Sequence, residues 1–489
     1  MSELTRDRRW QRLDARMLLV HPARELLRFL PVLVGLLVAG NATGGSDLPW
    51  QLLGIAVPIG LGVLRYVTTS FRITPGRVEL RRGLLNRHLL SAPLDRVRTV
   101  DLTSSPIHRL LGLTTVRIGT GTASSDDEDR LDLDGLPLAR ARRLREDLLH
   151  LAPATGGPEP ATADRLVVSF DPSWIRFAPL TSAGLVLAAG VLGAAAQGMN
   201  TFGLWDRLDS GALLDDTAAL SWWTLVPVGV VAIAVVVSAL SVAGYLIANW
   251  GLTLSHAQGV WHLRRGLLTT RETSLDDERV AGVSIHEPLP LRLAGGGRAS
   301  AIVTGLDRRQ AGSSLLVPAA PRPVVLGVAR EVLGSAGPVD APLAGHGPQA
   351  RRRRFTRALG PAAGLVLLVL LLVLLADAPA WLLVPALLAV PVALVLAVDR
   401  ARSLGHALVA GHLVARSGSL DRRRHALDTR DVIGWTFRST FFQRRAGLST
   451  LVATTAGGQQ AVTLPDVPEP VAVDLAAAAV PGLLGQFTA

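Results

Sequence analysis

Two pairs of adjacent arginines, Arg81-Arg82 and Arg264-Arg265, are the side chains of this 489-residue chain best suited to binding a ligand. Each pair lies in the phrase Leu-Arg-Arg-Gly-Leu-Leu, at 80–85 and again at 263–268. A guanidinium group is planar, permanently charged and able to donate two hydrogen bonds to one phosphate. The pairs therefore indicate contact with phosphate-bearing groups. The alternative is a pair of solvated charges at a hairpin turn.

Other reactive groups are missing or badly spaced. The chain has no cysteine, which excludes disulfides, thiolate metal sites and cysteine nucleophiles. It has no lysine either, so a Walker A loop and a Schiff-base lysine are excluded. The acidic run 126–129 lacks the alternating ligands and the glycine of an EF-hand, and His256 and His262 are too irregular for a metal-binding pair. We expect no catalytic residue, no metal and no cofactor, and predict that the protein is not an enzyme.

The composition indicates a membrane protein with sizeable polar parts. A mean hydropathy of +0.36 and 49% hydrophobic residues are too apolar for a soluble chain, whereas 18% charged residues are too many for a bare helix bundle. A membrane-crossing helix needs about 20 apolar residues. Six stretches qualify as spans, in three hairpins, at 29–43 and 49–67, 175–197 and 222–248, and 359–376 and 380–398. The last two could instead form one helix, but about 40 residues would overshoot the bilayer, so a tight hairpin is expected.

Arginine placement predicts the orientation of the hairpins. Arginines crowd the segment before residue 29 and the run 351–354, whereas the tip at 41–48 has none. Both termini and all polar blocks are therefore expected in the cytoplasm of a multi-pass plasma-membrane protein. The run 351–354 is interpreted as an orientation signal, with nucleic-acid binding a remote second reading. The span interiors hold no Asp, Glu, Arg or His, which favours anchors over ion-coupled transport.

Each hairpin is followed by a polar block of short strand-like segments that ends in a helical stretch. Pro75-Gly76 marks a turn in the first block, and leucines from 144 to 151 fit helical spacing. Three small antiparallel barrels or sandwiches, each capped by a C-terminal helix, are predicted. The predicted organisation is a basic segment at 1–28, hairpins at 29–67, 174–248 and 357–399, modules at 68–152, 249–337 and 400–486, and linkers at 153–173 and 338–356.

Two phrases of the first block carry a family resemblance. Pro93-Leu-Asp-Arg-Val-Arg-Thr-Val100 is followed by Arg109-Leu-Leu-Gly-Leu-Thr-Thr-Val116, and the third block has similar runs at 427–432 and 444–451. The second block departs most: 275–280 is read as carrying one extra residue, and Gly295-Gly-Gly297 replaces the Gly-Leu step. With paired spans before each block, the chain resembles bacterial PH-like domain membrane proteins of the YdbS/YdbT type.

The resemblance implies a PH-like fold of two packed sheets capped by a helix, and it implies no known reaction. It places Arg81, Arg82, Arg264 and Arg265 where PH domains contact anionic lipid headgroups. It also implies a related PH-domain membrane protein as a partner, and a role in envelope stress or in tolerance of membrane-active peptides. The predicted function is a non-enzymatic scaffold that displays three modules for protein or headgroup interaction. The alternative is a transporter or lipid-handling protein that its modules regulate.

Overall fold

The computed structural model describes residues 10–20, 66–74, 77–82, 88–93, 99–119, 131–150, 165–181, 222–304, 314–456 and 461–483, with isolated helical positions at 56–64 and 186–200. The chain divides into two compact units. Unit 1 comprises Met1–Leu166, Gly251–Arg279 and Gly305–Asp307. Unit 2 comprises Val167–Trp250, Val280–Thr304 and Arg308–Ala489.

Three segments of the chain contain the same order of elements: four strands, a short helix, two strands and a closing helix. The first segment has β2 Ser70–Thr74, β3 Arg77–Arg82, β4 His88–Pro93, β5 Thr99–Ser104, α1 Pro106–Leu110, β6 Leu113–Gly119, β7 Leu131–Pro137 and α2 Leu138–His150. It is preceded by the two-residue strand β1 Gln11–Arg12. After it come β8 Arg165–Ser169, a 3-10 helix Pro172–Leu180 and the long helix α3 Trp222–Asn249.

The second segment has β9 Thr253–Ala257, β10 Val260–Arg265, β11 Thr270–Asp276, β12 Val280–Pro288, α4 Leu289–Leu293, β13 Gly296–Val303, β14 Leu315–Pro321 and α5 Arg322–Val332. The short helix α6 Gly337–Asp340 and the long helices α7 Gly347–Leu375 and α8 Leu383–Ser403 follow. The third segment has β15 Gly405–Val409, β16 His412–Ser417, β17 Asp421–Asp428, β18 Val432–Arg438, α9 Phe441–Arg445, β19 Leu448–Thr455, β20 Ala461–Pro468 and α10 Glu469–Ala479.

From the first strand to the strand after the short helix, the three segments align without a gap: β2, β9 and β15 begin at 70, 253 and 405, and β6, β13 and β19 begin at 113, 296 and 448. Arg77 pairs with Pro93, Val260 with Asp276, and His412 with Asp428, so each hairpin spans the same number of residues. Both later segments also have a bulge at the same place, between Val280 and Gly282 and between Val432 and Gly434. The extra residue expected at 275–280 is therefore wrong, because Asp276 rather than Asp277 occupies the position of Pro93. Over this stretch each residue of one segment has a counterpart in the others. The loops before the last strands differ in length, since Leu113 pairs with Pro137, Gly296 with Pro321 and Leu448 with Pro468.

Unit 1 contains two antiparallel sheets. One has the order β1-β2-β3-β4, and the other includes the run β7-β6-β5-β11-β10-β9. Strand β7 contains Gly135 at φ +75°, where a Cβ would come within 2.1 Å of Met17, so only glycine fits against that methionine. The core consists of apolar side chains from both sheets, from α2 and from the segment that follows β1, including Leu13, Met17, Phe71, Leu80, Val100, Leu102, Val116, Leu133, Ala141 and Leu144.

Unit 2 also contains two antiparallel sheets, of order β14-β13-β12-β17-β16-β15 and β18-β19-β20. Helix α10 closes the core with Ala472, Leu475 and Ala476, which pack with Leu413, Leu427, Leu451 and Leu464. Paired β-sandwich sheets with a closing helix are the arrangement that the PH-like resemblance predicts. The predicted module at 249–337 is divided between the units, since β9–β11 belong to unit 1 and β12 onwards to unit 2.

Among the described residues, three helices are long and apolar enough to cross a membrane: Pro227–Asn249, Gly347–Leu375 and Ala380–Ser403. The last two pack against each other across a tight connection in which Asp377 has a φ of +49°. The predicted hairpin of 359–376 and 380–398 is confirmed there, and the single-helix reading is wrong. The fourth predicted span, 222–248, coincides with α3.

The third predicted span, 175–197, does not begin as a membrane helix. Residues 172–180 form a 3-10 helix that Asp171 caps through the Ser173 amide, and Trp174 and Phe177 are buried. A Cβ at Gly296 would come within 2.6 Å of the Phe177 ring, so this segment is fitted tightly against β13. Most of the first predicted hairpin, 29–67, lies outside the described residues.

Candidate interaction site

The second predicted arginine pair lies at the end of β10, immediately before the turn that Gly266 opens at φ +111°. The Arg264 side chain is 62% exposed, and its Nε lies 3.6 Å from a carboxylate oxygen of Glu272. Arg265 is partly buried, and this burial, together with Arg271, lowers its pKa to about 10 although Asp101 opposes the shift. The two arginines thus have different surroundings, and only Arg264 is well exposed.

The first pair, Arg81 and Arg82, ends strand β3 in the same way. Arg81 is partly buried, and the side chain of Arg82 lies outside the described residues. Contact of either pair with lipid headgroups stays a prediction.

The third segment uses the counterpart of Arg81 and Arg264 differently. Arg416 donates from Nε to the Ser403 carbonyl over 3.1 Å and from a terminal nitrogen to the Arg402 carbonyl over 3.1 Å. These carbonyls end helix α8, where unpaired acceptors and the helix dipole attract a cation. Burial lowers the pKa of Arg416, with a further contribution from Arg422. At this position an arginine therefore holds a long apolar helix to its strand.

A strand ladder joins the first and second segments, and we call it junction 1. Strands β5 and β11 form an antiparallel ladder from Thr99 opposite Leu275 to Ser104 opposite Thr270. Glu272 of β11 lies within 3.3 Å of Arg145 and 3.7 Å of Arg142, both on α2, besides Arg264. One carboxylate thus links the closing helix of the first segment to a hairpin of the second.

Junction 2 is the ladder of β12 with β17, which runs from Gly282 opposite Leu427 to Pro288 opposite Asp421. Arg424, the counterpart of Glu272, donates to the carbonyls of Pro338 and Ala341, each over 3.1 Å. Ser284 and His425 meet across the ladder, 2.7 Å from Oγ to Nδ1. Burial lowers the pKa of His425 to about 4, with His286 and Arg423 adding to the shift.

The end of junction 2 carries a second polar group. Arg423 pairs with Asp421 over 2.7 Å, and His286 Nδ1 lies 3.9 Å from the same carboxylate. Burial alone would raise the pKa of Asp421, but His286 and Arg423 lower it to about 2. The carboxylate is therefore ionised at neutral pH, and its charge is balanced within the ladder.

Two further carboxylates fix the long helices, and we call these contacts the helix joints. Asp399, near the end of α8, accepts from Arg292 and Arg422, each over 2.9 Å. It therefore connects α8 to both α4 and β17.

The second helix joint is centred on Asp466 of β20. Its carboxylate lies 3.0 Å from Arg353 Nε and 2.7 Å from a terminal nitrogen of Arg354, both on α7, and accepts from Gln443 over 2.7 Å. The side chain is only 1% exposed. Sequence reasoning assigned the run 351–354 to membrane orientation, with nucleic-acid binding as a remote alternative, and it missed this structural role of two of its members.

Glu272, Asp399 and Asp466 had no local sequence signal. Their partners lie 23 or more positions away in the sequence, apart from Arg264. In the part of the chain that the structure describes, no group of three or more His, Cys, Asp or Glu side chains could hold a metal ion. The polar groups at the junctions and the helix joints instead contact each other, and these contacts hold strands and helices together.

Comparison with protein families gives one match. The model of the bacterial PH domain matches residues 26–152 and 359–479, together just over half of the chain. Each matched region contains a predicted pair of spans and the polar block that follows it. Neither a curated protein nor a solved structure is significantly similar to the chain. The fold and the family match agree, and the chain belongs to the bacterial PH domain family.

Proposed function

We propose that this chain is a non-enzymatic membrane protein that displays three PH-like modules for interaction with proteins or lipid headgroups at the cytoplasmic surface. The middle module, at 249–337, and the YdbS/YdbT-type assignment are parts of the proposal. They are supported by the alignment of the second segment with the two that surround it, which has no gap from the first strand to the strand after the short helix.

The helix joints are the observation that carries the proposal. Asp466 is buried between two arginines of α7, and Asp399 binds arginines from α4 and β17 at the end of α8. Breaking a buried ion pair leaves an uncompensated charge, which costs several kcal/mol. Both helices of this hairpin are thus held firmly to the sheets, so a membrane that fixes the helices also fixes the sheets.

The helices themselves support anchoring in a bilayer. Only 6% and 11% of the residues in the apolar stretches of α7 and α8 are buried, and leucines such as Leu368, Leu374 and Leu387 are exposed. An exposed apolar surface of this extent favours a lipid surrounding over water. With six spans and arginine-rich flanks, all modules would lie on one side, where three linked sites bind more tightly than one.

Orientation can be tested by cysteine labelling, because the natural chain has no cysteine background. Single variants Leu110→Cys and Leu420→Cys place a thiol at the exposed end of α1 and in the exposed turn between β16 and β17, and Trp381→Cys places one at an exposed hairpin tip. In intact cells we expect a membrane-impermeant maleimide to label W381C only. L110C and L420C should react after permeabilisation, and labelling of either from outside would contradict the proposal.

Headgroup contact can be tested with the full-length chain in nanodiscs of neutral or anionic lipid. We expect the turn 266–269 to exchange amide hydrogens more slowly on the anionic lipid, and Arg264→Gln to remove the difference. The matched control is Arg430→Gln, since that arginine is exposed and pairs with Asp428 in its own turn. An equal loss in both variants, or no lipid dependence, would restrict the modules to protein interactions.

A further inference from the structure

Two of the edge strands of the described sheets, β18 and β4, are paired on one side only although the corresponding strands of the other segments are paired on both sides. Strand β18 pairs only with β19, and β4 pairs only with β3. Their counterparts all have neighbours on both sides, since β5 and β12 pair with β11 and β17 at the two junctions. Strands of these two kinds thus pair with each other at both junctions. In the described residues β18 and β4 each keep the corresponding edge without a neighbouring strand.

Both junctions use the same register. In junction 1 Val100 lies opposite Ser274, and in junction 2 Val283 lies opposite Ala426. The strand alignment makes Val283 the counterpart of Val100, and Ala426 the counterpart of Ser274. A third junction with the same geometry would therefore place Trp435 opposite Ser91, Thr436 opposite Leu90 and Phe437 opposite Leu89.

Strand β18 is exposed where its counterparts are buried. Phe437 is 39% exposed, whereas its counterparts Leu102 and Ile285 are buried. Thr436 is exposed as well, although its counterparts Asp101 and Ser284 are buried. The strand has no charged residue before Arg438 and no proline, the residue types that usually protect an edge from pairing.

Strand β4 shows the same contrast. Leu89 and Ser91 are exposed, while Ser274 and Ala426, the counterparts of Ser91, are buried in their junctions. In the shared register Leu89 would lie opposite Phe437, so two exposed apolar side chains would cover each other. The counterpart pairs are Leu102 with Glu272 and Ile285 with Arg424, in which the second residue finds polar partners.

We propose that β18 of one molecule pairs antiparallel with β4 of a second copy of this chain, in the register of junctions 1 and 2. Addition of a strand to an open sheet edge is a common mode of recognition, in which the main chain supplies affinity and the side chains supply specificity. The contact joins two different surfaces, so it builds rows or rings of molecules in the membrane plane. The inference rests on the proposed function, because both edges must lie on the same side of the membrane.

Cysteine cross-linking between two full-length copies tests the register. One copy carries Thr436→Cys and one tag, and the other carries Leu90→Cys and a second tag. Oxidation of native membranes should give a disulfide-linked species that carries both tags. The out-of-register pair, T436C with Leu89→Cys, should yield at least several-fold less, because adjacent residues of a strand point to opposite faces.

Three outcomes would overturn the proposal. The first is a yield of the two-tag species from T436C and L90C that is no higher than the yield from the out-of-register pair. The second is a disulfide within one chain when T436C and L90C are combined in it, which would show that the edges close on each other. The third is efficient linkage of T436C to itself, which would indicate a symmetric contact. Maleimide labelling of L110C and L420C separates these results from a failure of the proposed function, since it reports the sidedness of the modules independently.

Discussion

The carboxylates of Asp466 and Glu272 are both surrounded by arginines, but they differ in burial. Asp466 is 1% exposed and contacts Arg353, Arg354 and Gln443, whereas Glu272 is 15% exposed and has three arginines at 3.3 to 3.7 Å. Each carboxylate has three polar partners, so the number of partners does not distinguish the two sites. Solvent screens charges at the surface and leaves buried ones strong, so burial decides what each contact contributes to stability.

The largest expected effect is at Asp466. Asp466→Asn removes the charge and leaves two largely buried arginines without a counter-ion, so we expect a loss of about 3 kcal/mol in the stability of unit 2. Asparagine is the suitable replacement because residue 466 has a φ of +58°, which asparagine tolerates better than alanine. Hydrogen exchange of β19 and β20 in detergent measures the change. The control Asp428→Asn removes a carboxylate whose partner Arg430 is exposed, and should cost less than 1 kcal/mol.

Acid should weaken unit 2 near Asp466 through the neighbouring His346. His346 Nδ1 lies 3.0 Å from the Pro465 carbonyl, and burial together with nearby His406 lowers the pKa of His346 to about 4. Between pH 6.5 and 4 the unfolded chain binds a proton at this histidine that the folded chain does not, so stability falls as the pH falls.

We expect a loss of about 2 kcal/mol in unit 2 between pH 7 and 5 from this group. His346→Asn should reduce the dependence of hydrogen exchange on pH in that window by about half, because His425 of the same unit has a similar pKa. Asp421, whose pKa is about 2, titrates below the window and does not interfere. An unchanged slope in H346N would assign the acid sensitivity to another group, with His425 next to be substituted.

Junction 1 should respond less to loss of its carboxylate. Glu272→Gln keeps the side-chain shape and removes the charge shared by Arg142, Arg145 and Arg264, and we expect a loss of about 1 kcal/mol in unit 1. The matched substitution at the same place in junction 2 is Arg424→Gln, which removes two bonds to backbone carbonyls. Thermal unfolding or exchange of β11 and β17 measures both. A Glu272→Gln effect as large as that of Asp466→Asn would show that exposure is a poor guide in this fold.

The contrast between the sites also shows which features the sequence can predict. The phrase at 80–85 and 263–268 identified corresponding strands, and apolar runs located α3, α7 and α8, because these signals are local. The 3-10 helix at 172–180 was missed because an apolar run does not show whether it packs against protein or lipid.

Pairing between segments left no local trace. Thr99 lies opposite Leu275, and neither residue's neighbours indicate a partner so far along the chain. Asp466 likewise looks like an ordinary strand residue until the fold brings α7 to it. Both predicted arginine pairs end a strand, but Arg264 and Arg265 are not equivalent in environment, because the burial of Arg265 and the exposure of Arg264 depend on what covers the end of β10.

The smallest expected effect is at Arg264, and it sharpens the comparison most. Its guanidinium is 62% exposed and 3.6 Å from Glu272, so Arg264→Gln should cost only a few tenths of a kcal/mol. A double-mutant cycle with Glu272→Gln should give a coupling of similar size, measured by unfolding of the full-length chain. Arg145, which is far less exposed at the same carboxylate, should show a larger coupling in the matched cycle with Arg145→Gln. A weak coupling between Arg264 and Glu272 would leave the charge of Arg264 available to a second anion. A coupling as large as that of Arg145 would assign Arg264 to junction 1 and argue against headgroup contact.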